Sequence, residues 1–240
     1  MHSDKKIQNV LFDLDGTLLA MDQDAFVKCY FHELTSKMQK YGYAPEKLMH
    51  VLFDGVVAMM HNDGSHTNED VFWQVFVSAY GKDKLQDLDK FALFYQNEFQ
   101  NVSAMVEKKQ NVKKLFEILK AKGVQPILAT APLFPAIATQ SRILWAGMDP
   151  TDFAYISTYE NSHSSKPSLG YYQELIDKLH LDPKCCVMIG NDAEEDMVVE
   201  KLGMQVYLVT DYLVNKHNYD ISRWKHGTFE DMLAYLEEIL

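Results

Sequence analysis

Two rhythms of apolar residues alternate along the chain. From Ile7 to Leu14, the side chains of Ile7, Val10, Leu11 and Phe12 crowd together just before Asp13, Asp15 and Gly16. A short, nearly continuous apolar run of this kind predicts a parallel strand buried on both faces. Similar runs recur at Gln125–Thr130, Phe153–Ser157, Cys185–Gly190 and Met204–Thr210. Helical patterns lie between them. Val112, Leu115, Phe116 and Leu119 follow a capping Asn111 and stop at Gly123, and further helices are predicted over Leu169–Leu179 and Ala193–Leu202, the latter ended by Gly203. Strand–helix alternation predicts an α/β fold: a Rossmann-like parallel sheet with right-handed crossovers.

Between Met21 and about Met105 only the helical rhythm is heard. Phe26, Cys29, Tyr30, Leu34 and Met38 share one helical face, as do Val71, Phe72, Val75, Phe76, Ala79 and Tyr80. Fainter helices cover Glu46–Met60 and Leu88–Phe99, and turn signals at Gly42–Pro45, Asn62–Gly64 and Gly81 separate them. About four helices are therefore inserted after the first strand, and the many aromatic and Met side chains are expected to fill a small bundle core.

Composition narrows the function classes. Of 240 residues, 47% are apolar and 24% charged, as in ordinary globular proteins. Lys plus Arg is 23 against 34 for Asp plus Glu, a net charge of −11, and the only arginines are Arg142 and Arg223. That balance disfavours nucleic acid polymers and anionic membranes as partners. Three cysteines, Cys29, Cys185 and Cys186, form no disulfide framework, no run approaches a membrane span, and Met1–Lys6 is polar. A cytoplasmic location is expected.

The candidate chemistry sits where strands end. Ligands of open α/β sheets bind at the carboxyl ends of the strands. Asp13-Leu14-Asp15-Gly16-Thr17 follows the first strand and can bring two carboxylates together, while Gly16 lets the chain bend away from a phosphate-sized ligand. The second strand ends with the hydroxyl of Thr130, and Lys166-Pro167 lies in the polar loop after the third. The fourth runs into Gly190-Asn191-Asp192-Ala193-Glu194-Glu195-Asp196, where Asp192 and Asp196 are spaced to share a helix face. By contrast, His61, Asp63 and His66 occupy a Gly-containing turn and read as solvated. Arg142 and Trp145, on the helix after the second strand, are accounted for by a salt bridge and core packing.

These four strand-end sites, in this order, resemble the haloacid dehalogenase superfamily, whose motifs are Asp-x-Asp-x-Thr, a strand-terminal Thr or Ser, a Lys and a late acidic pair. Val10 to Leu19 matches the first motif fully, and Ser165-Lys166-Pro167 and Ile189 to Asp196 match the third and fourth. The helical insertion falls where the family's first type of cap belongs. The resemblance implies a core of residues 1–19 and 106–240 and a cap of residues 20–105. Two positions depart from the pattern. Ala131 stands where an Asn often follows the second-motif Thr, and Asn191 intervenes between Gly190 and Asp192. Either Asn191 or Asp192 is then the metal ligand of the fourth motif; Asp192 is preferred, because a hard divalent cation gains more from a carboxylate than from an amide.

The resemblance further implies a Mg²⁺-dependent phosphatase acting on a small phosphorylated metabolite. Asp13 would be the nucleophile, Asp15 the acid and base, and Thr130 and Lys166 the grip on the phosphoryl oxygens. Asp13, Asp192 and the backbone carbonyl of Asp15 would hold the metal. Thr17, counted with Thr130 and Lys166 among the substrate-binding residues, would orient Asp15 or its loop, and Asp196 would anchor Lys166 or a metal-bound water. A phosphomutase of this fold is the alternative, although residues 20–105 contain no arginine to hold a second phosphate. A metal-free dehalogenase fits less well with Asp15 and the late acidic pair. A non-catalytic binding module would be expected to lack Asp13, Asp15 or Lys166.

Overall fold

The computed structural model describes residues 6–107 and 111–240; residues 1–5 and 108–110, which fall in the expected core segments, lie outside the described residues. Its centre is a six-stranded, wholly parallel sheet. The strands are β1 (Asn9–Phe12), β2 (Ile127–Leu128), β3 (Tyr155–Ile156), β4 (Cys186–Gly190), β5 (Gln205–Val209) and β6 (Lys225–Gly227), in the order β3-β2-β1-β4-β5-β6. All five expected strands are present, each shorter by one or more residues. The unforeseen sixth, Lys225-His226-Gly227, is a polar edge strand that carries no apolar run to read.

The apolar strands are double-sided because both faces are covered. Val10 and Phe12 of β1, Val187 and Ile189 of β4, and Tyr207 and Val209 of β5 pack to one side, against Leu115 and Leu119 of α5 (Val112–Ala121) and Leu233 and Leu236 of α8 (Phe229–Ile239). Leu11, Met188 and Leu208 pack to the other, against Tyr171, Tyr172 and Leu175 of α7 (Leu169–Leu179). Successive side chains on a strand point to opposite faces, which is why these runs read as continuous.

One expected helix is different. Instead of an α-helix over Ala193–Leu202 there is a loop followed by 3₁₀ turns at Met197–Leu202, closed by Gly203 at φ +93°. Asp192 caps the Glu194 N–H and Asp196 is bonded to the Asp192 N–H and to Lys166, so the helical turns start late.

Between β1 and α5 lie α1 (Gln23–Gln39), α2 (Pro45–Met60), α3 (Asn68–Tyr80) and α4 (Leu88–Gln96), the last two joined by 3₁₀ turns. Phe26, Phe76, Phe94 and Phe99 are buried among them, as expected, but Val27, Phe53 and Leu88 remain exposed at 38%, 46% and 40%. The fully buried Asn68 fastens these helices over the sheet. Its backbone N–H donates to the Ser162 carbonyl (2.8 Å), and its side-chain amide donates to Pro132 and Ser164 carbonyls (3.1 Å each). Those carbonyls belong to the loops that follow β2 and β3. Among the described residues no helix is long and apolar enough to cross a membrane.

Candidate active site

The chain runs outward from β1 to β2 and β3, then returns to place β4 on the other side of β1. That reversal opens a crevice at the carboxyl ends of the central strands. Register fixes what lines it. Phe12 pairs with both Leu128 and Ile189, so Asp13 stands level with the end of β2 and with Gly190, and its N–H bonds the Ile189 carbonyl (2.8 Å).

Lys166 is the hub. Its side chain is fully buried and its Nζ donates to Asp13 Oδ1 (2.8 Å) and Asp196 Oδ1 (2.6 Å). Asp196 Oδ2 in turn accepts from the Asp192 N–H (2.9 Å). A Cβ on Gly190 would lie 2.0 Å from Asp196 Oδ2, so only glycine lets β4 pass the carboxylate that anchors the lysine.

The loop after β1 is equally constrained. Gly16 has φ +83°, and a Cβ there would also lie 2.4 Å from the Asn191 side-chain nitrogen. Asn191 uses its whole amide: Oδ1 accepts from the Thr17 hydroxyl (3.0 Å) and Nδ2 donates to the Tyr212 carbonyl (2.6 Å). Thr17 is fully buried and ties the first and fourth strand-end loops together. Asp192 Oδ1 accepts from the N–H groups of Glu194 (2.8 Å) and Glu195 (2.9 Å), which leaves Oδ2 outside those bonds. Thr130 is buried at the end of β2, where its carbonyl accepts from the Tyr171 hydroxyl (3.0 Å).

Asp15 has a partner that the sequence reading did not supply. Arg142, on α6 (Ala136–Trp145), is fully buried and ion-pairs with Asp15 Oδ2. Its guanidinium also donates to Thr139 Oγ1 (3.2 Å) and lies 4.4 Å over the Phe134 ring. A salt bridge was expected for Arg142, but its partner lies 127 residues away in sequence, and no local pattern identifies it. The one available signal was an arginine set in the apolar helix that follows the Thr130 strand. Asp15 Oδ1 stays buried without a hydrogen-bond partner, and the Asp15 carbonyl accepts from the Gln23 side chain (3.0 Å).

Electrostatics follow from burial. Burial pushes the Asp13 carboxyl up to about 8, aided by repulsion from Asp196 and Asp15 and opposed by Lys166. Burial also raises Asp15, against the pull of Arg142 and Lys166, and raises Asp192. For Lys166, burial works downward, but the attraction of Asp13 and Asp196 outweighs it and keeps the ammonium charged. Carboxyls held up by burial and mutual repulsion ionise when a cation joins them, and the donor types suit a divalent one: the carboxylates of Asp13 and Asp192 and the backbone carbonyl of Asp15. Among the described residues no three His, Cys, Asp or Glu side chains form a ligand cluster by themselves. A site drawing on the carbonyl of Asp15 needs only two side chains, Asp13 and Asp192.

The remaining candidates stay apart from this crevice. Asp63 accepts from the Ser65 N–H (2.9 Å) in an exposed turn beside His61 and His66, and Cys185 and Cys186 are buried, free thiols.

No curated protein matches the chain in sequence. Solved structures do match its fold. A predicted phosphoglycolate phosphatase from Haemophilus somnus 129PT is 20% identical with a TM-score of 0.56, covering 96% of this chain and 98% of that one. A protein provisionally named beta-phosphoglucomutase from Thermotoga maritima is 18% identical with a TM-score of 0.59, covering 98% and 100%. A dehalogenase solved as an intermediate complex is 14% identical with a TM-score of 0.59, covering 97% and 98%. At such identities the likeness speaks for the fold alone. The family profile of haloacid dehalogenase-like hydrolases, however, matches residues 7–198, from the first strand through the acidic loop after β4, and the chain belongs to that family.

Proposed function

We propose that the protein is a Mg²⁺-dependent phosphatase that hydrolyses a small phosphorylated metabolite through an aspartyl-phosphate on Asp13. One observation carries this reading: Asp13, held by a buried lysine, lies at the end of the same strand as Asp15, a second carboxyl that keeps one oxygen without a partner. That is a nucleophile beside a proton carrier.

Lys166 occupies Asp13 Oδ1, so Oδ2 attacks phosphorus and the bond from phosphorus to the leaving oxygen breaks. Asp15, raised by burial and so able to hold a proton, gives it to the leaving oxygen through Oδ1 while Arg142 fixes Oδ2. Asp15 then takes a proton from the water that attacks the acyl-phosphate, releasing inorganic phosphate and restoring Asp13. Thr130 and Lys166 hold the non-bridging oxygens, and positioning of that kind supplies much of the catalysis in phosphoryl transfer. Asp13, Asp192 and the carbonyl of Asp15 would hold Mg²⁺, which when bound neutralises the anionic site and polarises the phosphoryl oxygens. Asn191 ties Thr17 to the Tyr212 carbonyl, whereas Asp192 keeps Oδ2 outside its loop bonds and carries the charge that a hard cation favours, so Asp192 is the preferred ligand. Residues 20–105 act as the cap over a core of 1–19 and 106–240.

The test is phosphate release from a panel of phosphate monoesters with Mg²⁺ present. Release is expected, chelation should remove it, and Asp13→Asn should lose it while keeping the parent's circular dichroism. Full activity in excess chelator, or near-parental turnover by Asp13→Asn, contradicts the mechanism.

A further inference from the structure

Above the strand ends, the helices α1–α4 and the segment 133–137 enclose a cavity of about 540 Å³. Its size lies within the range of about 300–1,000 Å³ usual for small-molecule sites. The wall is mostly apolar and rich in aromatic rings, with Phe31, Phe53 and Trp73 among them, and it contains no lysine, arginine or histidine. Its charged members are two carboxylates, Glu69 and Asp89. The hydroxyls of Tyr30 and Tyr95, which could serve a polar ligand, are bonded to each other at 3.0 Å. Phe53 and Leu88, both large apolar side chains left exposed, also line it.

The cavity is tied to the proposed chemistry through one residue. Phe134 lines it and also carries the Arg142 guanidinium, which ion-pairs with Asp15. The segment 133–137 starts three residues after Thr130. Phe134 and Arg142 thus link the wall of the cavity to Asp15, the group that would meet the leaving oxygen.

We propose, resting on the phosphatase reading above, that this cavity receives the apolar body of the substrate, which is a phosphate monoester of an alkyl or aryl alcohol. Apart from Glu69, Asp89 and the Trp73 Nε1–H, the wall offers a sugar's hydroxyls few partners, and hydroxyls buried against its rings would be costly. A second phosphate would meet two carboxylates and no cation, which also argues against a bisphosphate and hence against a mutase. An uncharged hydrocarbon meets neither penalty and gains from leaving water.

Two measurements on the whole protein test this. The first is calorimetric titration with 1-octanol, a neutral probe that requires no catalysis. The second is kcat/KM across n-alkyl phosphates from ethyl to octyl, with glucose 6-phosphate alongside. One equivalent of octanol should bind, and kcat/KM should climb about fourfold per CH₂ until the cavity is filled. Phe53→Lys, at a position exposed enough to accept lysine, should flatten the octyl-to-ethyl ratio, and Phe53→Leu should preserve it. Hydrolysis that is flat with chain length and highest for glucose 6-phosphate, without octanol binding, overturns the substrate class while leaving the phosphatase reading intact. Octanol binding with no phosphate released from any ester overturns the proposal together with that reading.

Discussion

The strand-end crevice and the aromatic cavity lie side by side and are built on opposite principles. In the crevice, directional bonds fix most polar groups: Lys166 joins Asp13 to Asp196, Asp196 joins the Asp192 backbone, and Gly16 and Gly190 are glycines because a Cβ would strike a side chain. In the cavity, almost nothing is directional, and shape and hydration decide what fits. Such a division lets one part of a fold fix a reaction while the other chooses the molecule. It also predicts different responses to mutation: all-or-none in the crevice, graded in the cavity.

The largest effect expected in the crevice is that of Lys166→Met. It leaves Asp13 and Asp196 as buried carboxyls without their cation, and breaking a buried pair of this kind costs about 3–5 kcal/mol. Both turnover and the thermal midpoint should fall sharply; a variant that melts like the parent would refute the hub role. Asp192→Asn is milder, because the amide oxygen can still cap Glu194 and Glu195. Here the Mg²⁺ concentration for half-maximal activity should rise about tenfold or more, since losing even an outer partner of a metal costs about 10–100-fold. Asn191→Ala should instead lower stability through two lost hydrogen bonds, about 1 kcal/mol each. A larger Mg²⁺ shift for Asn191→Ala than for Asp192→Asn would exchange their roles.

The smallest effect concerns the helices around the cavity. Apart from the Lys37–Glu98 pair, their ionic contacts gather at Asp87, which accepts from Tyr43 (2.8 Å), Lys84 (3.1 Å) and Lys90. Burial works against its ionisation, but those hydrogen bonds outweigh it and hold the carboxyl down at about 2, below its usual 3.8. A group lowered on folding adds stability above its ordinary value and loses it as pH falls through the lowered one. Asp87→Asn should therefore be less stable than the parent to urea at neutral pH, with the gap closing between pH 4 and pH 2. A gap that stays constant with pH would mean that the ion pairs contribute nothing.

The same contrast explains what the sequence made readable. Strands buried on both faces announce themselves as apolar runs, and the groups that follow them, Asp13, Thr130 and Asp192, are found by position at strand ends. Lys166 was readable as a lone lysine in a polar loop, with Asp196 expected to anchor it or a metal-bound water; its bond to Asp13 was not read. Arg142 was visible as a residue but not as the partner of Asp15, because a contact across 127 positions leaves no local trace. The cavity was hidden for another reason. Aromatic residues at helical spacing look alike whether they fill a core, as Phe76 and Phe94 do, or line a space, as Phe53 does. Periodicity reports which face is apolar, not whether that face closes.

The central claim, that Asp13 carries the phosphoryl group, is tested most directly by acid-quenching the enzyme during turnover and mapping the phosphorylated peptide by mass spectrometry. One phosphoryl group should appear on Asp13, in a linkage that hydroxylamine cleaves as expected for an acyl-phosphate, and Asp13→Asn should show none. Turnover without a trapped phosphoryl group on Asp13, or with the label on another residue, would contradict the account.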